Sequence, residues 1–300
     1  MTEGSSRFGV GGLAFIFGSV AAWALLLILV PHLMLLDYAF HANPGAVTKG
    51  IASEGWTIHS FKPLFDPNDT LAFQTFLRTL LTSAVITGLT LMVCYPLAYY
   101  LAKVASRPWL GFLMLCLLVP FWVNEVLRAY AWRTLLTKQG LINQLVTSFG
   151  LPPIEFFNYE LPIVDANMAL FIGLTYSYVL FMIFPLFNAM ESLDTSQVEA
   201  ARDLGASWFR VHRKVVIPHA KPGIASGCIV TFMLTAGSFI VPVLLGGRSS
   251  FWFTQAIESQ FSVLNWNGGS AYAVVLELVC LLVVFGMMRV CRVTLRDIMR

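Results

Sequence analysis

The chain has 300 residues, of which 57% are apolar and only 12% are charged, whereas soluble domains usually contain roughly 25% charged residues. A water-soluble domain of this length would need charged side chains along every helix, so the composition excludes one large soluble core and predicts a membrane protein. The formal net charge is +3, and the placement of the positive residues is more informative than their sum.

Six apolar segments are long enough to cross a bilayer, because a helix needs roughly 20 apolar residues to span the hydrocarbon core. We therefore predict an all-α membrane protein with six transmembrane helices, organised as a single domain over residues 1–300. The first segment is too long for the apolar core of a signal peptide and is expected to stay as a helix. The predicted spans are approximately 10–36, 79–102, 109–132, 167–190, 222–246 and 271–290.

The positive residues predict the orientation of these spans. With both termini in the cytoplasm, twelve of the 19 Lys and Arg residues fall on the cytoplasmic side. This bias agrees with the excess of positive charge that cytoplasmic loops carry. The opposite orientation would place the Arg-rich carboxyl-terminal tail and the loop 191–221 outside, so we predict cytoplasmic amino and carboxyl termini.

The loop 191–221, between the fourth and fifth predicted spans, carries helix signals of its own. Ser196 and Glu199 have the spacing of a capping box, in which each side chain bonds a backbone amide of the first turn. Gly205 is placed to end this helix in a left-handed conformation. Val198, Ala201 and Leu204 then fall near one face of this helix.

A second short helix is expected after Gly205. Ser207 is placed to cap it, and Trp208, Val211 and Val215 would form its apolar stripe. Pro218 is expected to mark its end, before the fifth span. From the residues alone, this helical pair is either an amphipathic element that lies on lipid or a docking surface for a partner.

The same loop carries a recognisable motif. The run Glu199-Ala200-Ala201, with Gly205 four residues later and Val215-Val216-Ile217-Pro218 after nine more, resembles the EAA motif of binding-protein-dependent ABC importer permeases. That family's pattern ends in Ile-x-Leu-Pro, and here Val215 and Ile217 replace the Ile and the Leu. The longer string EAARDLGAS is similar to the form found in the polyamine permeases of this family, those for spermidine and putrescine.

The resemblance extends over about residues 10–295 and implies the fold of type I ABC importer permeases in a bacterial inner membrane. It implies that the chain forms half of a pore with a second, homologous permease, and that two copies of a cytoplasmic ATPase and a periplasmic substrate-binding protein complete the importer. Membrane lipid is a further expected partner, and nucleic acid is not expected. The residues that would couple the pore to the ATPase are Glu199, Ala200, Ala201, Asp203, Gly205, Ile217 and Pro218.

The sequence contains no phosphate-binding Gly-x-x-x-x-Gly-Lys-Ser/Thr loop, and its five histidines show no metal-type spacing. We therefore expect no catalytic residues, no metal site and no cofactor in this chain, with ATP and magnesium held by the partner ATPase. The expected function is a permease subunit of an ATP-driven polyamine importer. Alternatives are a permease for another small amine or an amino-acid-like solute, or a secondary transporter, although no broken-helix repeat of that class is seen.

Two acidic residues lie within or beside predicted spans, where charges usually face the interior of a helix bundle or a watery cavity. Glu125 is followed three residues later by Arg128, so it either lines the transport pathway or pairs with that arginine. Glu277 lies within the last span and either lines the pathway or makes a structural hydrogen bond. Aromatic candidates for the pathway are Trp122, Tyr176 and Tyr178.

Overall fold

A computed structural model describes residues 10–41, 55–66, 70–158, 160–161, 166–247 and 250–291. The chain divides into two compact units. One comprises Met1–Thr70 with Ile257–Glu277, and the other comprises Leu71–Ala256 with Leu278–Arg300. Among the positive residues that helped to predict the orientation, Arg7, Arg292, Arg296 and Arg300 lie outside the described residues.

The described residues are mostly helical. The α-helices, numbered in chain order, are α1 (Val10–Ala24), α2 (Val30–Phe40), α3 (Leu71–Tyr99), α4 (Arg107–Leu118), α5 (Glu125–Leu136), α6 (Leu141–Ser148), α7 (Met168–Glu191), α8 (Thr195–Asp203), α9 (Trp208–Val211), α10 (Ile217–Ala236), α11 (Ile240–Leu245), α12 (Phe253–Ser262) and α13 (Trp266–Cys291). Wider π-helical turns cover Leu25–Leu29, Tyr100–Val104 and His212–Val216, and 3₁₀ turns cover His59–Phe65 and Val119–Trp122. Strands β1 (Glu160–Leu161) and β2 (Ala166–Asn167) pair antiparallel.

Within the described part of the chain, five helices are long and apolar enough to cross a membrane, and a bent pair of helices makes a sixth. The five are Phe15–Phe40, Leu71–Val104, Met168–Glu191, Trp208–Ala236 and Trp266–Cys291. Four of them overlap the predicted spans closely, apart from longer ends. The predicted third and fifth spans need correction.

The predicted third span, 109–132, is not one helix, because Arg107–Trp122 and Glu125–Ser148 meet at an angle of 96°. Pro120 lies in the 3₁₀ turn that ends the first part, where its missing N–H is tolerated, and Val123 is extended. Asn124 then caps α5 by accepting a 2.8 Å hydrogen bond from the amide of Val126. The length of an apolar segment does not show where its backbone bends, so the sequence did not predict this break.

The predicted fifth span, 222–246, is shifted toward the amino terminus. The helix starts at Trp208 and runs to Ala236, and Gly237 ends it by bonding the carbonyl of Met233. Pro218 was expected to end the preceding element, but the helix continues through it. The π-turn before it makes this possible, because the amide of Ile217 bonds the carbonyl of His212, five residues back, just ahead of the residue without an N–H.

Helix α7 lies at the centre of the larger unit and packs against α3 and α10. Its contact with α10 requires small residues, as is common between membrane helices. A Cβ atom at Gly223 would lie 2.4 Å from the carbonyl oxygen of Pro185, and one at Gly227 would lie 2.9 Å from the sulfur of Met182. These two glycines therefore allow the backbones of α7 and α10 to approach closely.

In the smaller unit, the first and last long helices are held together near their ends. The side-chain amide of Asn267 donates to the carbonyls of Tyr38 and His41, each at 2.9 Å. Ala39 packs with Ala271 and Val274 in a small buried cluster. These contacts tie the end of α2 to the beginning of α13.

Candidate functional site

Helix α8, at the centre of the predicted coupling loop, is capped by Asp194. The carboxylate of this residue accepts a 3.0 Å hydrogen bond from the amide of Ser196. The same hydrogen bond lowers the pKa of the Asp194 carboxyl from its usual value, because it stabilises the charged form. The predicted capping box of Ser196 and Glu199 is therefore wrong, since the acceptor lies two residues earlier.

The carboxyl end of α8 closes as the sequence predicts. Gly205 adopts a φ angle of 76°, the left-handed region that favours glycine. Its amide bonds the carbonyl of Arg202 at 2.8 Å, and the next amide, of Ala206, bonds the carbonyl of Ala201 at 3.1 Å. These two bonds form a Schellman motif, which satisfies the last carbonyls of the helix and turns the chain sharply into α9.

The loop is attached to the membrane helices by buried side chains and one cation. Leu193 and Val198 are buried in a cluster that includes residues of α3 and α7. The ammonium group of Lys103 donates to the carbonyls of Glu191 and Leu193. Because these carbonyls lie at the end of α7, the positive charge also complements the helix dipole.

A buried histidine connects the second half of the loop to α3. His212 is 4% exposed, and its Nδ1 atom lies 2.7 Å from the hydroxyl of Tyr95. Its ring centroid lies 4.5 Å from that of Tyr99 and 4.0 Å from that of Trp208. The partner of His212 cannot be recognised from the sequence, because the hydrogen bond joins residues that are 117 positions apart.

The outer surface of the loop presents both motif residues and large apolar side chains. Ala201 is half-buried, and the other predicted coupling residues are exposed, namely Glu199, Ala200, Asp203, Gly205, Ile217 and Pro218. Leu204 and Trp208, which belong to the predicted apolar faces, are 88% and 61% exposed, and Phe209 is 69% exposed. The sharp turn at Gly205 projects these three side chains outward. We call Leu204, Trp208 and Phe209 the apolar tip of the loop.

A cavity of about 350 Å³ lies between the break in the third span, α7 and the end of α10. Its walls are largely aromatic and aliphatic, with one carboxylate, one guanidinium group and several hydroxyl groups. The lining residues are Phe121, Glu125, Arg128, Ser177, Tyr178, Phe181, Met233, Leu234, Gly237, Ser238, Phe239 and Ile240. The charged side of this cavity is formed by Glu125 and Arg128, which directly follow the 96° bend within the predicted third span.

The two charged residues of the cavity do not pair with each other. No ion pair within 4.0 Å joins Glu125 and Arg128 in the described residues. The hydroxyl of Tyr178 donates a long, 3.4 Å hydrogen bond to Glu125. The guanidinium carbon of Arg128 instead lies 4.8 Å from the ring centroid of Phe121, which is cation–π geometry. The predicted alternative of a structural Glu125–Arg128 pair is therefore absent.

The other pathway candidates are not among the residues that line this cavity. Tyr176, two residues before Tyr178, faces away from Glu125 and packs edge-on against Trp132 at 5.2 Å between ring centroids. Trp122 is 83% exposed and does not line the cavity. Glu277, in the smaller unit, has an oxygen 3.6 Å from Nε2 of His32. Its predicted role in the pathway remains a prediction.

Several residues of these sites were missed, and only one of them left a readable signal. Asp194 lies directly before the first residue of α8, and an aspartate at this position commonly caps a helix. Phe121 and Ser238 could not be found in this way. They reach the cavity only because one helix breaks at Val123 and another ends at Gly237.

Comparisons with known proteins identify the family of this chain. Residues 94–292 match the family described as "Binding-protein-dependent transport system inner membrane component". The chain is 32% identical over 271 residues to the spermidine/putrescine transport system permease protein PotB of Haemophilus influenzae, with 89% of each chain covered. It is 31% identical over 264 residues to the Escherichia coli protein of the same name, covering 87% of this chain and 91% of that one.

Solved structures of transporters share the fold. A bacterial ABC transporter involved in the import of the acidic polysaccharide alginate has a chain that superimposes with a TM-score of 0.68 at 18% identity, over 93% of this chain and 94% of that one. A chain of the MetNI methionine ABC transporter in an inward-facing conformation gives a TM-score of 0.54 at 17% identity, over 76% of this chain and 97% of that one. At these identities, the likeness concerns the fold alone.

Proposed function

Because this chain belongs to the family of binding-protein-dependent transport system inner membrane components, we propose that it forms half of the pore of an ATP-driven polyamine importer. Family membership makes it a multi-pass permease of the bacterial inner membrane. The cargo follows from its similarity to spermidine/putrescine permeases over 89% of its length. The observation in the structure that supports this cargo is the carboxylate of Glu125 in a cavity with aromatic walls.

This cavity fits a protonated amine by its chemistry. A carboxylate offsets part of the free energy that an ammonium group loses when it leaves water and enters the membrane. The aromatic rings of Tyr178 and Phe181 add attraction for a cation, roughly 0.5–2 kcal/mol for a good contact. The tyrosine hydroxyl is the only protein group in the described residues that bonds Glu125, and at 3.4 Å it leaves the carboxylate open to a ligand.

The loop 191–221 is proposed to couple this pore to the ATPase. The apolar tip is rigidly presented, because α8 is capped at both ends and its inner face is buried against α3 and α7. Exposed aromatic and aliphatic side chains on a fixed turn are typical of protein contact sites. We propose that two ATPase copies contact this loop and its counterpart on a homologous permease, while a periplasmic binding protein delivers the cargo.

Transport of putrescine by the assembled importer in proteoliposomes tests the cargo. Glu125→Gln keeps the size of the side chain and removes its charge, and we expect uptake per ATP hydrolysed to fall at least severalfold at saturating binding protein. Glu155→Gln is a matched control, because that carboxylate lies 3.5 Å from Lys138 on an exposed segment. Unchanged uptake in Glu125→Gln would contradict the role of the cavity in moving cations.

The proposed orientation has its own test. After the native cysteines are replaced, a cysteine at Ser207 should react with impermeant reagents only from the cytoplasmic side. A cysteine at Ser148, which ends α6, should react only from the periplasmic side. Labelling of both from the same face would contradict the arrangement of six spans with cytoplasmic termini.

A further inference from the structure

The cavity contains a positive charge that a pathway for polyamines would not be expected to contain. Arg128 lies one helical turn after Glu125 on α5, and its Nε atom is buried without a hydrogen-bond partner in the described residues. A fixed guanidinium group would repel an incoming polycation. Its presence next to the carboxylate therefore needs an explanation that packing alone does not give.

The spacing of the two residues allows two arrangements. Side chains three positions apart on a helix lie on one face, with about 5–6 Å between their Cβ atoms. The long Arg128 side chain is therefore able to reach the Glu125 carboxylate. In the structure it is turned away and lies over the ring of Phe121, 4.8 Å from the centroid. The aromatic ring thus offers the guanidinium group a second resting place.

The remaining groups around Glu125 leave its carboxylate free for a ligand. Tyr178 bonds it at 3.4 Å. Ser238 is 4% exposed and lines the same cavity, and its hydroxyl lies near that of Tyr178 without a hydrogen bond of normal geometry. A buried hydroxyl without a partner is unfavourable and is usually satisfied by water or a ligand. The cavity therefore presents a carboxylate and a hydroxyl to a donor such as an ammonium group.

We infer that Arg128 is an internal competitor of the cargo and determines how readily the cavity accepts cations. When Arg128 rests on Phe121, as it does in this structure, the Glu125 carboxylate is open to an ammonium group. When the guanidinium group instead swings back to pair with Glu125, it neutralises the carboxylate and closes it to the cargo. Arg128 thereby acts through Glu125, and this inference rests on the proposed transport of polyamines.

The direction in which uptake changes when Arg128 is replaced distinguishes this role from one in which Arg128 binds the cargo itself. With putrescine delivered at saturating binding protein to the complete importer in proteoliposomes, Arg128→Gln should raise uptake by roughly threefold, the effect of losing one weak competing contact. The double variant Glu125→Gln/Arg128→Gln should show the same uptake as Glu125→Gln, because the carboxylate for which Arg128 competes is gone. Arg133→Gln, at an exposed position of the same helix, should match the wild type.

Phe121→Leu tests the inference independently of Arg128. It removes the ring that holds the guanidinium group away from Glu125, so uptake should fall, and the added Arg128→Gln should cancel this fall. If Arg128→Gln does not assemble, a fall in uptake by normally assembled Phe121→Leu supports the inference, and unchanged uptake overturns it.

The outcomes also separate the inference from the function on which it rests. A fall in uptake with Arg128→Gln would mean that the guanidinium group binds an acceptor on the cargo, as for an amino-acid-like solute, and would overturn the inference. Uptake equal to the wild type would overturn it as well. If Glu125→Gln reduces uptake while Arg128→Gln lowers it or leaves it unchanged, the proposed cation pathway stands and only the role of Arg128 is overturned. Normal uptake in Glu125→Gln overturns both proposals.

Discussion

The inner loop and the membrane cavity are assembled in opposite ways. Asp194 caps helix α8 by accepting a hydrogen bond from the amide two residues later. At its other end the helix is closed by backbone hydrogen bonds that span three and five residues around Gly205. In the cavity, Tyr178 reaches Glu125 across 53 positions, and the walls also include residues of α10 and the turn after it. The loop is a local structure placed on the helix bundle, whereas the cavity exists only when the bundle is packed.

This difference separates two tasks. A local, rigid loop with an exposed apolar tip is suited to receive force from a partner. A cavity at the bends of several helices changes shape when those helices move. If the proposed function is right, substitutions in the loop should change how ATP hydrolysis drives the pore, and substitutions in the cavity should change which solutes pass.

The largest effect is expected at Gly205. Gly205→Val places a β-branched residue at a φ angle of 76°, which costs roughly 1–2 kcal/mol and disturbs the turn that presents the apolar tip. We expect a tenfold or greater loss of substrate-stimulated ATP hydrolysis by the assembled importer. Gly150→Val is a matched control, because Gly150 has the same φ angle and also has open space around it. Equal losses of stimulation in both variants would show that strain alone explains the result.

A second, roughly tenfold effect is expected at the apolar tip. Phe209→Ser removes an exposed aromatic side chain, and aromatic residues at the centre of a protein interface often contribute 1–2 kcal/mol or more. The affinity of the ATPase for the permease should fall, which titration of the ATPase into proteoliposomes would detect. Phe149→Ser serves as the control, since Phe149 is 80% exposed at the end of α6. Unchanged affinity in Phe209→Ser would remove this residue from the docking surface.

The close contact between α7 and α10, which supports both the loop and the cavity, is tested at Gly223. The added Cβ of Gly223→Ala would meet the backbone of α7 at 2.4 Å, and overpacking of this kind typically costs 1–3 kcal/mol. We expect a lower midpoint of thermal unfolding in detergent, with the loop and the cavity affected together. Gly88→Ala should leave the midpoint unchanged or raise it, because nothing lies within 4 Å of its Cβ. A normal midpoint for Gly223→Ala would mean that α7 and α10 can separate freely.

The smallest effect is expected at the cap of α8. The hydrogen bond from Ser196 lowers the pKa of Asp194 in the folded loop, so the carboxylate contributes stability above the pKa of the unfolded state. This contribution is lost as the pH falls through the lowered folded-state pKa. Hydrogen exchange of the first turn should therefore increase in acid relative to Asp194→Ala, which has no carboxyl to titrate. The same pH dependence in both proteins would contradict the assigned cap.

The loop was largely predictable from the sequence because its rules are local. A glycine at the end of a helix predicts a left-handed turn, and Gly205 has one. The error concerned the choice between neighbouring caps. Asp194 and Ser196 are both residues that commonly cap helices, and a charged acceptor bonds more strongly than a hydroxyl.

The membrane region was predictable in its number of apolar segments and not in its breaks. Pro120 breaks a helix, whereas Pro185 lies within one and Pro218 follows a π-turn that accommodates it. The outcome depends on whether neighbouring groups satisfy the carbonyls that each proline leaves free. Those neighbours come from distant parts of the chain, so hydropathy alone gives one expectation for all three positions.

The separation of the two tasks is tested most directly by measuring putrescine uptake and ATP hydrolysis in the same proteoliposomes for Gly205→Val and Glu125→Gln. We predict that Gly205→Val loses substrate-stimulated hydrolysis and uptake together, so that the few molecules moved still cost the normal amount of ATP. Glu125→Gln should keep stimulated hydrolysis while uptake per ATP falls severalfold. If both variants lower hydrolysis and uptake in the same proportion, the loop and the cavity do not divide coupling from cargo passage, and the account is wrong.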